Sequence, residues 1–227
     1  SMDLGNLVHM ALEQFSMEVR RENRSWGALT EEEIDRYLDR VIPQVTGDYG
    51  NTILHSSARN AYLITRVRGM VRRTVWALAR QLRNGKFEPE GFEVALEGGR
   101  IDRVDVYETE DRVYVKIIDY KTGSTKFDLV ALYHGLQLQL VVYLNGALEA
   151  EAVRHPGKEI VPAGIFYYNV KDPMLRERID GDLQAVEKSM ARELKMNGLV
   201  QSEDNTAFLI DSPLEPIPVS VKQDGTF

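Results

Sequence analysis

Cysteine is absent from the 227 residues of this chain. Its absence excludes a disulfide framework, a thiolate metal site and a cysteine nucleophile. The sequence also lacks any apolar run of about 18 residues, so we expect no membrane-spanning helix. No basic segment followed by an apolar one opens the chain, so we expect no signal peptide and a cytoplasmic location. The initial Ser1-Met2 pair is typical of recombinant expression, and we therefore expect an excised domain.

Acidic side chains are missing from one long segment, although the chain as a whole is acidic. The net charge of −7 argues against a general nucleic-acid-binding surface, because phosphate contacts require Lys and Arg. Residues 59–86, however, contain eight basic residues and no Asp or Glu. Among them, Arg66, Arg73 and Arg80 recur every seven residues and would form one stripe on a helix. This stripe predicts either a DNA-binding surface or a solvated helix face.

Residues 3–86 show the 3.6-residue periodicity of helices. Apolar positions predict a first helix over 3–19 and a long third helix over 55–84. Between them, Thr30 begins a capping box that predicts the start of a second helix. Pro43 predicts either the end of that second helix or a kink in it.

Residues 91–170 change to the period-two alternation of strands, with one apolar helix inserted. The predicted strands cover 91–97, 99–108, 111–121 and 162–170, the helix covers 128–150, and turns are predicted at Gly98-Gly99 and Glu110-Asp111. Residues 174–227 predict a charged helix closed by Gly198, followed by an irregular tail with a short strand. This order predicts an α/β fold in a single domain, 1–227, with parallel pairing possible after the inserted helix.

Acidic side chains lie near one end of two predicted strands. Asp102 is near the start of the strand 99–108, and Asp119 is near the end of the strand 111–121. Alternation places Asp119 and Lys121 on the apolar face of the third strand. Asp102 lies on the face of the second strand that is better suited to meet Asp119. Asp105 is expected to face outward, unless both faces of this strand are covered.

Paired carboxylates at these strand ends favour a metal site. Two carboxylates about 4 Å apart repel by roughly 4 kcal/mol at an effective dielectric near 20, and Mg²⁺ or Mn²⁺ removes that cost. Lys121 would then orient or help deprotonate an attacking water, or stabilise charge on a phosphate. The alternative is a plain ion pair between Asp119 or Lys121 and its neighbours.

Six segments in a fixed order carry a family resemblance. They are LGNLVHMALEQF (4–15), FEVAL (92–96), GRIDRVD (99–105), IIDYKTG (117–123), GLQLQLVVYL (135–144) and FYYNVKDPML (166–175). The set resembles the RecB-like branch of the PD-(D/E)XK nucleases, and within it the nuclease domains of AddB type. The resemblance covers most of the chain. It implies a restriction-endonuclease-like core, α-β-β-β-α-β, with a central mixed sheet flanked by helices and extra helices at both ends.

The resemblance also implies roles for individual residues in phosphodiester hydrolysis. The implied metal ligands are His9, Asp102, Asp119 and the backbone carbonyl of Tyr120, the catalytic lysine is Lys121, and the supporting residues are Glu93, Gln139 and Tyr143. Gln137 is an implied DNA contact. Since Gln137 and Gln139 lie about 200° apart on a helix, they cannot face the same way, and Gln139 pairs with Tyr143 at i,i+4.

Cofactors and partners follow from the same resemblance. Mg²⁺ or Mn²⁺ would be the cofactor, a single DNA strand emerging from a helicase the substrate, and an AddA-like helicase–nuclease subunit the partner in double-strand-break repair. Full-length relatives of this type hold a 4Fe-4S cluster with four cysteines, which this chain cannot do because it has none. The alternatives are a stand-alone RecB-like exonuclease and a catalytically silent DNA-binding or docking module.

Overall fold

The structure is a computed structural model that describes residues 4–48, 58–96, 99–122, 138–170 and 197–200. The described helices are α1 (Leu4–Arg21), α2 (Glu31–Asp48), α3 (Ala58–Asn84) and α4 (Leu138–Arg154), with a short 3₁₀ turn at Trp26–Ala28. The described strands are β1 (Glu88–Leu96), β2 (Gly99–Glu108), β3 (Arg112–Lys121), β4 (Glu159–Asn169) and β5 (Asn197–Val200). None of these helices is long and apolar enough to cross a membrane.

The chain divides into two compact units, which are described in turn. The first comprises Ser1–Arg80, Lys121–Ser124 and Asn169–Lys195, and the second comprises Gln81–Tyr120, Thr125–Tyr168 and Met196–Phe227. Most of the predicted C-terminal helix and tail, and the first part of the predicted helix over 128–150, lie outside the described residues.

Helices α1 and α2 of the first unit contact each other through aromatic and apolar side chains. The Phe15 ring of α1 lies edge-on to Trp26 and Tyr37, with ring centroids 5.4 and 5.5 Å apart. The start of α2 has the predicted capping box. The Glu33 N–H donates to the Thr30 hydroxyl at 3.2 Å, and the Thr30 N–H donates to the Glu33 carboxylate at 3.0 Å. These bonds satisfy two amides at the helix N-terminus.

Helix α2 continues past Pro43, so Pro43 does not end it. A proline inside a helix removes one backbone hydrogen bond and costs about 3 kcal/mol. The turn beyond it, however, buries Val45 and Thr46. The Thr46 hydroxyl also donates to the carbonyl of Ile42 at 2.7 Å. Burial of this last turn therefore offsets the cost of the proline.

Two arginines of the basic helix α3 form ion pairs with α2. Arg72 Nε lies 2.8 Å from the carboxylate of Asp35, and Arg72 Nη2 lies 3.1 Å from that of Glu31. Arg68 Nη2 lies 3.0 Å from the carboxylate of Asp39. The acids of α2 therefore neutralise part of the positive charge of α3.

The second unit contains a five-stranded sheet with the order β1-β2-β3-β4-β5. The pairs β1–β2, β2–β3 and β4–β5 are antiparallel. At the start of β4, the Glu159 N–H donates to the carbonyl of Asp111, which directly precedes β3, at 2.9 Å. Strands β3 and β4 therefore begin at the same end and run parallel, with α4 in the crossover. The prediction of an α/β fold with a mixed sheet is confirmed.

Strand β5 was not predicted. Gly198 was expected to close a charged helix, but it lies inside β5 and pairs with Phe166 of β4. The strand has only four residues, too few to show a clear alternation of apolar and polar positions. Its formation depends on pairing with β4, which is distant in the sequence.

One face of the sheet packs against α4. The shared core consists of Ile101, Val104, Val113, Val115, Ile117, Leu140, Tyr143, Ala147, Ile165 and Tyr167. Full burial of one such aliphatic side chain contributes roughly 1.5–3 kcal/mol. Strict alternation would place Ile101 on the opposite face from Val104. Ile101 nevertheless belongs to this core. It pairs with Val94 of β1, and the pleat of β1 is irregular at this point because the neighbouring Glu93 has a positive φ of 47°.

The other face of β2 and β3 buries charged side chains. Arg103, Asp105 and Lys116 are each 0% exposed, so the expectation that Asp105 faces outward was wrong. Both faces of β2 and β3 are therefore covered. Arg103 Nε lies 2.7 Å and Lys116 Nζ 3.4 Å from the Asp105 carboxylate. Lys116 Nζ also lies 5.0 Å from the centre of the Phe87 ring, a cation–π contact.

Candidate active site

The candidate site lies at the end of the pairing between β2 and β3. Arg103 pairs with Ile118, and the same register continued by one step would place Asp102 opposite Asp119 on one face of the sheet. The Asp102 carboxylate accepts a hydrogen bond of 2.6 Å from the backbone N–H of Tyr120. A carboxylate that accepts a backbone hydrogen bond makes a strong, charge-assisted contact. Asp102 is therefore held in a defined position beside the last residues of β3.

Strand β1 adds a second carboxylate next to Asp102. The neighbours of Glu93 pair with the neighbours of Asp102, and carboxylate oxygens of these two residues lie within 4.8 Å of each other. Arg100 Nη1 lies 3.0 Å from the Glu93 carboxylate. The positive φ of Glu93 is uncommon for a residue other than glycine, and such conformations are enriched at functional sites.

Three adjacent strands thus present Glu93, Asp102 and Asp119 at neighbouring register positions. The carboxylates of Glu93 and Asp102, within 4.8 Å of each other, repel, and Arg100, whose side chain is 63% exposed, offsets that repulsion only weakly through water. Oxygen donors of this kind are the preferred ligands of Mg²⁺ and Mn²⁺. The residues present therefore fit a divalent cation.

Strand β3 ends with Tyr120 and Lys121, which have different surroundings. The phenol of Tyr120 is buried on the opposite face of the sheet, where its oxygen accepts a hydrogen bond from Arg103 Nη1 at 3.2 Å. Burial raises the pKa of Tyr120 to about 12. Tyr120 is therefore held both at its backbone, by Asp102, and at its ring. Lys121 is half-buried, and its carbonyl accepts a hydrogen bond from the Val170 N–H at 2.7 Å.

Helix α4 places Gln139 beside Tyr143. The side-chain amide of Gln139 donates to the hydroxyl of Tyr143, which confirms the predicted i,i+4 pairing. Tyr143 is buried and lies against Gly99, where an added Cβ would collide with its hydroxyl. Of the other predicted site residues, His9 is half-buried on α1 in the first unit, and Gln137 lies outside the described residues.

The arginine stripe lies on α3 in the first unit. Arg66, Arg73 and Arg80 are all half-buried. The Arg66 guanidinium lies over the Tyr62 ring at 5.8 Å, and the Arg80 guanidinium lies over the Trp76 ring at 5.5 Å. Such contacts with aromatic faces hold an arginine in place without neutralising its charge.

A family model described as the PD-(D/E)XK nuclease superfamily matches residues 1–212. The chain belongs to the PD-(D/E)XK nuclease superfamily. This confirms the family inferred from the ordered segments.

Curated relatives are similar over nearly the whole chain. A protein of Lachnoclostridium phytofermentans, named as a subunit of an ATP-dependent helicase/deoxyribonuclease, is 42% identical over 99% of this chain and 21% of its own length. Proteins of the same name from Alkaliphilus oremlandii and Alkaliphilus metalliredigens are 35% and 39% identical over 98% and 89% of this chain. The chain spans about a fifth of the length of these relatives.

Two groups of polar residues were not singled out from the sequence. The first is the buried set around Asp105, whose signal was the short Arg103-Val104-Asp105 repeat of opposite charges on one strand face. The second is formed by Glu90, Glu151 and His155, each of which offers a ligand atom within 4.8 Å of the others. Its signal was the i,i+4 spacing of Glu151 and His155 at the end of an apolar helix.

Proposed function

We propose that this chain is a Mg²⁺-dependent deoxyribonuclease domain that hydrolyses DNA phosphodiester bonds. The observation that carries the proposal is the pair of carboxylates of Glu93 and Asp102, within 4.8 Å of each other. Asp119 supports it from the facing position on β3. Superfamily membership supports it as well, because the acidic cluster lies on the segments that resemble the family's motifs.

The cation would be held by Asp102 and Asp119, with His9 and the carbonyl of Tyr120 as further ligands. When bound, it would supply Lewis acidity to activate water and positive charge to offset that of the phosphate. Glu93 would add a carboxylate at the edge of this set. The hydrogen bond from the Tyr120 N–H would keep the Asp102 carboxylate oriented while substrate binds.

Lys121 would act on the substrate directly. It follows Asp119 by two residues, and its ammonium group would stabilise negative charge on the phosphate or orient the attacking water. Gln139 would hold the Tyr143 hydroxyl through their hydrogen bond, and this pair would contact the DNA or support the carboxylates. These roles match those implied by the family resemblance.

The DNA and the partner are proposed from the names of the relatives. These proteins are subunits of an ATP-dependent helicase/deoxyribonuclease. We therefore propose an exonuclease domain that cuts a single strand delivered by a helicase, beside an AddA-like subunit, in cytoplasmic double-strand-break repair. Arg66, Arg73, Arg80 and Gln137 would contact the DNA backbone.

Cleavage of single-stranded DNA with Mg²⁺ or Mn²⁺ tests this proposal. The expected result is metal-dependent cutting by the unmodified chain and its loss in Asp119→Ala. Asp111→Ala is a matched control, since Asp111 is exposed, lies at the opposite end of β3, and accepts the Glu159 N–H through its backbone carbonyl, which the substitution keeps. Absence of cutting, together with no Mg²⁺ or Mn²⁺ binding by calorimetry, would instead indicate a silent DNA-binding or docking module.

A further inference from the structure

A second group of possible metal ligands lies within the second unit and uses none of the residues assigned above. It consists of Glu90 on β1, Glu151 on α4 and His155, which follows α4 directly. One carboxylate oxygen from each glutamate and one imidazole nitrogen all lie within 4.8 Å of one another. The group therefore joins β1 to the C-terminal end of α4.

The backbone of β1 is irregular where it supplies Glu90. The register against β2 shifts between Pro89 and Gly91, so Glu90 is the extra residue of a β-bulge. Bulges re-aim side chains and are enriched next to functional sites. Gly91 permits the close packing here, since an added Cβ would lie 2.7 Å from the Val94 side chain.

Glu151 is a buried acid with one unsatisfied oxygen. It is 1% exposed, and its Oε1 accepts a hydrogen bond of 2.8 Å from Arg154 Nη1. Its Oε2 makes no hydrogen bond within the described part of the chain. Burial, and next the nearby charge of Glu90, raise the pKa of Glu151. A buried carboxylate oxygen without a hydrogen bond is costly, and either a protonated His155 beside it or a bound metal cation would remove that cost.

His155 is oriented toward the same point. Its Nδ1 lies 3.3 Å from the Glu108 carboxylate, and its Nε2 lies 3.3 Å from Glu151 Oε2. The Nε2 atom is buried and, among the described residues, makes no hydrogen bond. In metal sites, a carboxylate on one imidazole nitrogen typically fixes the tautomer that leaves the other nitrogen free to bind the metal. Glu108 is placed to do this.

We propose that Glu90, Glu151 and His155 form a second, structural site for a divalent transition-metal ion of the Zn²⁺ type. One imidazole nitrogen and two carboxylate oxygens suit Zn²⁺, whereas Mg²⁺ prefers oxygen ligands alone. The bound ion would fasten the end of α4 to the bulge of β1. Because the ion would bind the folded chain and not the unfolded one, it would raise the melting temperature.

Calorimetric titration of the metal-free full chain with ZnCl₂ tests the site. Every sample carries Asp119→Ala, so that all samples lack the same proposed ligand at the candidate active site. Adding His155→Ala or Glu90→Gln should remove one equivalent of bound Zn²⁺ and abolish the Zn²⁺-dependent rise in melting temperature. Adding Glu149→Gln, an exposed acid on the same helix, should change neither.

Two outcomes overturn the proposal. One is a Zn²⁺ stoichiometry that is the same with and without His155→Ala and Glu90→Gln. The other is a His155 imidazole whose nitrogen chemical shifts do not change on adding Zn²⁺ but change only with pH, as for a protonated histidine paired with Glu108 and Glu151. Glu90→Gln keeps the size of the half-buried side chain, so it reports on the site even if His155→Ala does not fold.

Discussion

The carboxylate of Asp102 accepts a hydrogen bond from the backbone N–H of Tyr120, at a donor–acceptor distance of 2.6 Å. Asp102 has thus both a structural contact and, by our proposal, a metal-binding role. The two roles are separable. An asparagine keeps a carbonyl oxygen that accepts from the same N–H, but it lacks the charge that a divalent cation requires.

We therefore expect Asp102→Asn and Asp102→Ala to differ in stability but not in activity. Both should lower DNA cleavage by at least about 100-fold, equivalent to about 2.7 kcal/mol of activation energy. Only Asp102→Ala should also lose about 1.5–3 kcal/mol of unfolding free energy, since it breaks a hydrogen bond to a charged group. Cleavage assays and urea unfolding measure the two effects. Asp102→Asn with nearly full activity would rule out the metal-binding role.

The buried charges of Arg103, Asp105 and Lys116 lead to a prediction about stability. Asp105→Leu leaves two buried cations without their anion and should cost about 3–5 kcal/mol. The triple variant Arg103→Met, Asp105→Leu, Lys116→Met removes all three charges and should be more stable than Asp105→Leu alone. Unfolding in urea tests this. A triple variant that is less stable than the single one would show that the charges stabilise the fold together.

Alternation gave more information about one face of this sheet than about the other. It favoured Asp102 over Asp105 as the acid on the face of Asp119, because Asp102 precedes Val104 and Val106 on one face of β2 and Asp119 follows Val115 and Ile117 on one face of β3. It could not show that Asp105 is buried, since alternation separates two faces but does not reveal whether a second layer covers both. The bulge at Glu90 could not be predicted either, because a shift in register is a property of two paired strands and not of one segment.

Prediction of the helices from the sequence was limited in a similar way, because it found local signals and missed features that depend on the folded chain. The capping box at Thr30 could be predicted from the sequence because it depends on two residues three positions apart. The continuation of α2 beyond Pro43 could not be predicted in this way, since burial of Val45 and Thr46 is a property of the folded chain. Strand β5 was missed for this reason too, because it pairs with β4, whose paired residues are 30 to 36 positions away in the sequence.

The contact between Gly99 and Tyr143 predicts coupled mutational effects. A Cβ at position 99 would collide with the Tyr143 hydroxyl, so Gly99→Ala should cost about 1–3 kcal/mol, as overpacking usually does. It should also displace the Tyr143 ring from Gln139. In Tyr143→Ala, where the ring is absent, the same Gly99→Ala change should cost much less. A double-mutant cycle measures this coupling, and independent, additive effects would contradict it.

Two buried tyrosines predict a loss of stability at high pH. The pKa of Tyr37 is raised to about 12 by burial and then by its hydrogen bond to Glu22, and that of Tyr120 is raised to about 12 mainly by burial. The unfolded chain ionises its tyrosines near pH 10, so these two groups stabilise the fold below that pH. Their contribution is lost as the pH rises from about 10 to 12.

Unfolding free energy measured in urea across this range tests the assignment. Tyr37→Phe and Tyr120→Phe should each reduce the slope of unfolding free energy against pH by the equivalent of about one proton. Tyr62→Phe, which removes a hydroxyl from a residue that is 50% exposed, is the control for loss of a phenol. A slope that Tyr37→Phe and Tyr120→Phe leave unchanged would mean that other groups govern the alkaline transition.

The contacts of the arginines of α3 lead to a prediction about which of these arginines bind DNA. Arg68 and Arg72 are paired with acids of α2, whereas the guanidinium groups of Arg66 and Arg80 lie over the rings of Tyr62 and Trp76. Replacing Arg66, Arg73 and Arg80 by glutamine should therefore weaken binding of single-stranded DNA. Each lost phosphate contact should reduce the slope of log affinity against log salt by about 0.7, or roughly two units for the triple variant.

Fluorescence anisotropy with labelled single-stranded DNA at several salt concentrations measures that slope. The matched control is the double variant Arg68→Gln, Arg72→Gln, which removes arginines from the same helix. It should lower the stability of the fold by breaking ion pairs with Asp35 and Asp39, yet keep the unmodified salt slope. If the triple variant also keeps that slope while the control lowers it, DNA would bind on the α2 side of the helix, and the stripe would be a solvated face.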